Sequence, residues 1–377
     1  MRHASRIESV RPIGMPASMP GASGAAADPA WKTAPERTRL EEETLTKTNG
    51  VLFVSYRDTL DLLSVEDAFN VCEDVYRMHA SGGVVHASPP SFKLDVGAPF
   101  HNHWHVKSAF LKDLPTTGVR LYNYYDDGAR NTVGTLSRAG YVVLSDPLTG
   151  EPVAIVDEHW SYVLRSTASA IVACKWLGPR QPRILGLVGI GSMGTASLRC
   201  LTSMYRFDEI RCTSRRPETR LAFAEQWSTA TGTRVVPKDT VEEVVRGADI
   251  VVGGTTSGEI VSREPWLKPG ATFISLARRE LDPAGWSKMD KVVIDSWEFN
   301  ILQKDFKHSV DTGLFSREQL YCEIQELVSG NKKGRERDDE RILIHTTGLV
   351  SQDVALAHFL YRRALEKGRG IWLPKAE

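Results

Sequence analysis

The turn Gly189-Ile190-Gly191-Ser192-Met193-Gly194, set between an apolar run and a helical stretch, constrains the fold of this 377-residue chain more than any other feature. Ile184 to Val188 has the unbroken apolar character of a strand buried on both faces, and Thr195 to Tyr205 returns to helical spacing through Ala196, Leu198 and Leu201. In a strand, Gly-rich turn and helix unit, Gly189 permits the tight turn, Gly191 admits a pyrophosphate close to the backbone, and Gly194 lets helix and strand pack. The helix N-terminus then offers unpaired N–H groups and a favourable dipole to phosphates, and Ser192 and Met193 of the turn are candidate cofactor-binding residues. Without its flanks such a pattern is as readily an ordinary turn; with them it reads as a dinucleotide site.

A second strand, Glu209 to Thr213, ends in Ser214, Arg215 and Arg216. An NAD site usually carries a carboxylate here for the ribose 2′-hydroxyl, whereas arginine accommodates a 2′-phosphate. The carboxylate is missing, so NADP(H) is favoured over NAD(H), with solvated loop arginines as the alternative. The unit then repeats through a helix at 240–246 and the strands in ADIVVGGTTS, ATFISLA and KVVIDS, which implies a mostly parallel doubly wound α/β sheet of Rossmann type. Thr255, Thr256 and Ser257 follow a strand's C-terminal end, where such sheets bind ligands.

Length predicts about two domains. Lys plus Arg (47) equals Asp plus Glu (47), leaving no basic field for nucleic acid or a membrane surface. No apolar run approaches the roughly 20 residues that span a bilayer. Cys72, Cys174, Cys200, Cys212 and Cys322 show no paired spacing and read as buried thiols in a reducing compartment, so a soluble, cytoplasmic protein is expected.

Residues 1–45 are rich in Ala, Pro, Gly and Ser and read as a disordered arm or one that wraps a partner subunit; a transit peptide is the lesser alternative. From residue 51 a strand, a helix starting at Val65, and strands near 92–95, 101–109, 119–125 and 140–145 precede a hairpin turned at Asp146 to Gly150. This succession predicts a mainly β domain, joined to the nucleotide fold by a helix carrying Leu164, Ala168, Ile171 and Val172.

The ordered motifs GVR, DPLTGEPVAIVD, LRSTASA, GIGSMG, ADIVVGGT, LKPGA, RELDP and TTGLVSQD give the chain a resemblance to the ornithine cyclodeaminase/mu-crystallin family over residues 50 to 365. The resemblance implies a substrate-binding and dimerisation domain (46–178), a Rossmann domain (179–342) and a C-terminal segment returning to the first domain (343–377), assembled as a homodimer. It also implies an amino-, imino- or keto-acid substrate. In the family's pattern Arg165 is the carboxylate-binding arginine, Ser166 and Thr167 lie near the cofactor phosphates, and Arg120 stands where a lysine is usual, so Arg165 and Arg120 are expected to hold the carboxylate together. Thr347, Gly348, Gln352 and Asp353 match a segment beside the nicotinamide. Ser91 occupies the place of a second arginine, with Lys93 nearby to serve instead. The ordinary alternatives are a helix-surface salt bridge for Arg165 and a structural charge for Arg120.

FISLARRELDPAGW departs from the cyclodeaminases, whose longer loop carries a proton-handling aspartate. Its absence favours a reductase of an α-imino or α-keto acid, and Arg278 and Arg279 suggest an acidic substrate unless they pair with nearby acids. A cyclodeaminase using bound NAD and a non-catalytic NADPH-dependent ligand binder of mu-crystallin type are the alternatives. His101, His103 and His105 share one strand face. That spacing suits zinc, but the resemblance calls for no metal, and substrate contact or sheet packing is the preferred reading. His105, Lys93 and Lys107 are the candidate proton donors. Tyr122, Tyr124, Asp126 and Asp127 form a second cluster that suits either substrate contact or a solvated turn.

Overall fold

The computed structural model describes residues 50–97, 102–125, 140–255, 257, 259–277 and 279–375. The first group of strands is β1 (Gly50–Val54), β2 (Val84–His86), β3 (Phe92–Val96), β4 (Asn102–Leu111), β5 (Thr116–Tyr125), β6 (Gly140–Ser145) and β7 (Pro152–Asp157). The second is β8 (Ile184–Val188), β9 (Glu209–Thr213), β10 (Arg234–Pro237), β11 (Ile250–Gly253), β12 (Thr272–Ser275), β13 (Lys291–Ile294), β14 (Cys322–Glu323) and β15 (Ile342–His345), and β16 (Ile371–Pro374) ends the described chain. Five helices matter below: α1 (Val65–Ala80), α2 (His159–Ile171), α3 (Ser192–Met204), α4 (Pro217–Thr231) and α5 (Val350–Lys367).

Two sheets result. The first runs β16-β1-β7-β6-β5-β4-β2, with β3 also on β4, and apart from the parallel β1–β7 pair its ladders are antiparallel. Its strands alternate, as one-sided burial demands: in β6, Val142 and Leu144 point into the core while Tyr141 points out. The helices α1 and α5 cover the inner face with Val71, Val75, Val354 and Leu360. The hairpin expected at Asp146 to Gly150 forms, with Gly150 in the left-handed region and its N–H donating to the Asp146 carbonyl at 2.8 Å.

The second sheet is parallel throughout, in the order β10-β9-β8-β11-β12-β15-β13-β14. Every residue of β11, β12, β13 and β15 is buried, because helices cover both faces. The strand order reverses direction at β8, whose neighbours β9 and β11 continue the chain on opposite sides. The crevice beyond the carboxyl ends of β8 and β11 is therefore the topological switch point where such sheets bind ligands.

One detail differs from the expectation drawn from spacing, and the cysteines agree with it. α3 begins at Ser192 rather than Thr195, since its first turn is made by the glycine motif itself. All five cysteines are free and buried, and desolvation raises their thiols, Cys212 to about 11 and Cys174 to about 12. The expected arm at 1–45, His101, Asp126, Asp127, Thr256 and Arg278 lie outside the described residues. Among the described residues no helix is long and apolar enough to cross a membrane.

Candidate active site

The first half of the site is the glycine turn. Gly189 adopts φ +93°, and a Cβ there would lie 2.6 Å from the Gly254 carbonyl oxygen, so only glycine fits between β8 and β11. A Cβ on Gly194 would strike the Gly189 carbonyl, which ties the start of α3 to the end of β8. Gly191 is different: nothing lies within 4 Å of where its Cβ would be. It is also the N-cap of α3 and supplies no side-chain cap, so the N–H groups of the first turn face that open space. An anion of phosphate size is what this cradle accepts.

Beside the turn, Ser214, Arg215 and Arg216 follow β9. The Ser214 hydroxyl donates to the Arg216 carbonyl (3.0 Å), and both arginines are exposed with no ion pair among the described residues. Thr255, after β11, donates its N–H to Glu280 Oε1 at 2.8 Å. Glu280 also accepts from the N–H groups of Leu276 (2.7 Å) and Ala277 (2.9 Å), so one carboxylate ties together the loops that follow β11 and β12. Burial pushes this carboxyl up to about 7 against the pull of those backbone donors. The acid Glu280 of the shortened loop, expected at most as a surface partner for the arginines, is thus turned onto backbone instead of toward a substrate. Arg279, expected to face an acidic substrate, pairs with Asp305 at 2.9 Å instead.

The second half lies on the inner face of the first sheet. Register places Lys93 opposite His105, His105 opposite Tyr122, and Lys107 opposite Arg120. Arg120 is 2% exposed and gives both Nε and Nη2 (2.9 Å) to Glu158, the residue that starts α2; Gly140 leaves the space that the Glu158 carboxylate fills. From α2, Arg165 donates Nε to Asp353 Oδ1 at 2.7 Å, and the same oxygen lies 3.5 Å from Arg120. Tyr162 lies between the two guanidiniums, 5.3 and 4.9 Å from their central carbons. Burial disfavours both arginine charges, but Asp353 reverses the effect for each, and both stay above the ordinary range. Desolvation likewise works against the Asp353 charge, and Arg120 and Arg165 more than offset it.

Glu158 therefore takes the fork of Arg120, which makes this arginine a source of fixed charge rather than an open clamp. Arg165 keeps both terminal amines without a partner among the described residues. Lys107 has no ion pair there either, and burial, together with the charges of Arg120 and Arg165, lowers it to about 8. His105 hydrogen-bonds Tyr122 (3.1 Å) and is pulled down to about 4 by burial and by Lys93, Lys107 and Arg120. His103 bonds Asp95 at 2.6 Å, and no group of three or more potential metal ligands occurs among the described residues. Ser166 and Thr167 are buried within α2, where the Thr167 hydroxyl returns to the Val163 carbonyl at 3.0 Å.

The two halves are joined by the turn that opens α5. Asp295, at the end of β13, accepts N–H bonds from Thr347 (2.9 Å) and Gly348 (2.5 Å) and fixes Gly348 at φ +79°. Thr347 Oγ1, Gln352 Nε2 and Asp353 Oδ2 are buried here without a hydrogen-bond partner, which a bound polar molecule would supply. A Cβ on Gly348 would collide with Arg165 Nη1. Gly348→Ala should therefore displace the Arg165 fork and strain the turn by about 1–3 kcal/mol. Thermal melting and carboxylate-ligand titration check this; unchanged ligand affinity in a folded variant would contradict it.

Comparison with known proteins agrees with this architecture. Residues 51–368 match the ornithine cyclodeaminase/mu-crystallin family. The chain is 26% identical over 238 residues to the N-((2S)-2-amino-2-carboxyethyl)-L-glutamate dehydrogenase of Staphylococcus aureus, covering 62% of this chain and 71% of that one. Among solved structures it resembles the Thermococcus litoralis Δ1-pyrroline-2-carboxylate reductase in complex with NADH and L-proline (TM-score 0.78, 25% identity, 85% of this chain and 99% of that one). An archaeal alanine dehydrogenase dimer with bound NAD shares the fold (TM-score 0.77, 24% identity, 86% and 98%). With five-sixths of its length matched in order, the chain belongs to the ornithine cyclodeaminase/mu-crystallin family.

Proposed function

We propose that the chain is a nicotinamide-dependent oxidoreductase that reduces the C=N or C=O bond of an α-imino or α-keto acid, with the substrate carboxylate held by Arg165 and Lys107. The observation that carries the reading is the pair of unengaged donors, the Arg165 fork and the Lys107 ammonium, on a buried face joined through Asp295 and Gly348 to a Rossmann sheet. A guanidinium fork holds a carboxylate by two parallel bonds and so fixes the adjacent α-carbon. Asp353 holds Arg165 by Nε, which sets the direction of the remaining fork. Arg120, paired with Glu158, adds rigidity without releasing its own fork.

The cradle at Gly189, Gly191 and Gly194, with the first-turn N–H groups of Ser192 and Met193, fits a dinucleotide pyrophosphate; Ser214, Arg215, Arg216 and Thr255 would surround the rest. The nicotinamide, when bound, supplies the hydride. The two solved structures named above hold NADH or NAD, yet the exposed Arg215 and Arg216, without ion pairs among the described residues, support a preference for NADPH. One charge-assisted contact to a 2′-phosphate contributes roughly 1.5–3 kcal/mol, about tenfold or more in affinity. The short loop after β12, whose Glu280 is committed to backbone, argues against a cyclodeaminase.

A homodimer is part of this reading. The outer face of the first sheet exposes Phe92 (60%), Leu94 (52%), Val119, Leu121 and Tyr141, beside the half-buried Trp104 and Val106. An apolar sheet face of this kind is what a second copy of the chain would cover.

Three measurements bear on these points. NADPH and NADH absorbance, followed with keto acids, amines and cyclic imines, should show consumption, whereas ammonia release from diamino acids at constant absorbance would favour cyclisation. Replacing Arg215 and Arg216 with alanine should weaken NADPH about tenfold or more and leave NADH nearly unchanged; equal losses would refute the preference. The double variant Leu94→Asp, Leu121→Asp should sediment as a monomer, and an undiminished dimer would place the interface elsewhere.

A further inference from the structure

The inner face of the first sheet carries more positive charge than one carboxylate requires. Lys93, Lys107 and Arg120 come from three adjacent strands, and Arg165 reaches the same place from α2. Among the described residues the acids that face them are Glu158 and Asp353, and each is committed: Glu158 to Arg120, Asp353 to Arg165. Asp95, the remaining acid on that face of β3, is bonded to His103. Among the described residues neither Lys93 nor Lys107 forms an ion pair; the nearest acid to Lys93 is Asp95, already bonded to His103. His105 stands between them, opposite Lys93 and two residues before Lys107, and is neutral near pH 7 because it titrates at about 4.

For Lys107, removal from water without a counter-ion is costly, and the like charges beside it add to the cost. The sheet needs neither lysine for its own packing, since Lys93 is exposed and Lys107 is half-buried among cations. The spacing has a chemical meaning. Cross-strand diagonal neighbours stand about 7–8 Å apart, so two flexible ammoniums can serve two anionic groups of one small molecule. Lys107 lies with Arg165, and Lys93 is one step further out along the sheet.

We propose that the substrate is an α-imino or α-keto dicarboxylate, its carboxylate next to the reacting carbon held by Arg165 and Lys107 and its distal carboxylate held by Lys93. This proposal rests on the reductase reading above, and the test separates the two. Full-length protein with NADPH is assayed on 2-oxoglutarate against 2-oxopentanoate, and on oxaloacetate against 2-oxobutanoate, each with ammonia, methylamine or a diamino acid. The pairs match in chain length and differ in the distal carboxylate. The expected result is a kcat/KM at least about tenfold higher for the dicarboxylate, the worth of one charge-assisted contact. In Lys93→Met the ratio should fall toward one, chiefly through KM, with the melting curve retained; Lys93→Glu should invert it. Equal rates on both members of each pair would overturn the dicarboxylate proposal and leave the reductase reading standing. A preference that survives Lys93→Met would overturn the assignment to Lys93, and no consumption of NADPH or NADH with any pair or with cyclic imines would sink both readings.

Discussion

The buried ion network Glu158–Arg120···Asp353–Arg165 is the interaction on which the substrate half of the molecule depends. Its four charges come from the start and middle of α2, from β5 and from α5, and each is at most 4% exposed. Removing one member would strand a buried charge, at a cost of about 3–5 kcal/mol. An apolar core of the same volume would be about as stable. Retaining charge in the core makes sense if it is used, and here the network orients one guanidinium while leaving its terminal amines open. It also gives α5 a fixed rotation, because Asp353 must meet Arg165 while Val354 and Leu360 enter the apolar core beneath β4, β5 and β6.

The same helix connects the two sheets. α5 follows directly from β15 in the parallel sheet, packs on the inner face of the first sheet, and leads to β16, which pairs with β1. The junction is held by Asp295, whose four short bonds include the backbone of Thr347 and Gly348. Burial raises this carboxyl while those donors pull it down. Gly348 then allows Arg165 to sit against the turn. The glycine cradle at the switch point and the Arg165 fork on the first sheet thus owe their relative position to a turn of a few residues.

Much of the cofactor half was legible in the sequence because its signal is local. The glycine motif spans six residues, and the buried strands announce themselves as apolar runs of four or five. The charges that organise the substrate half have partners distant in sequence: 38 residues separate Arg120 from Glu158, 188 separate Arg165 from Asp353, and 53 separate Asp295 from Gly348. No periodicity encodes such pairs. Family resemblance pointed to Arg165 and Asp353 without indicating that they bond, nothing pointed to Glu158 or Asp295, and Glu280 was legible only as a surface partner for arginine. Arg279 shows the opposite error: two adjacent arginines in a candidate loop invite a substrate role, yet Asp305, 26 residues on, claims the second of them.

The central claim is that Arg165 acts through its fork, held in direction by Asp353. Arg165→Lys keeps the charge and removes the fork, since a single ammonium cannot meet Asp353 and grip a carboxylate by two parallel bonds. Steady-state kinetics of that variant, with cofactor affinity and melting temperature measured alongside, provide the most direct test. The account predicts a loss of about 2 to 4 kcal/mol in transition-state stabilisation, roughly 30- to 1,000-fold in kcat/KM, with cofactor affinity retained. A folded Arg165→Lys enzyme with wild-type kcat/KM would contradict it.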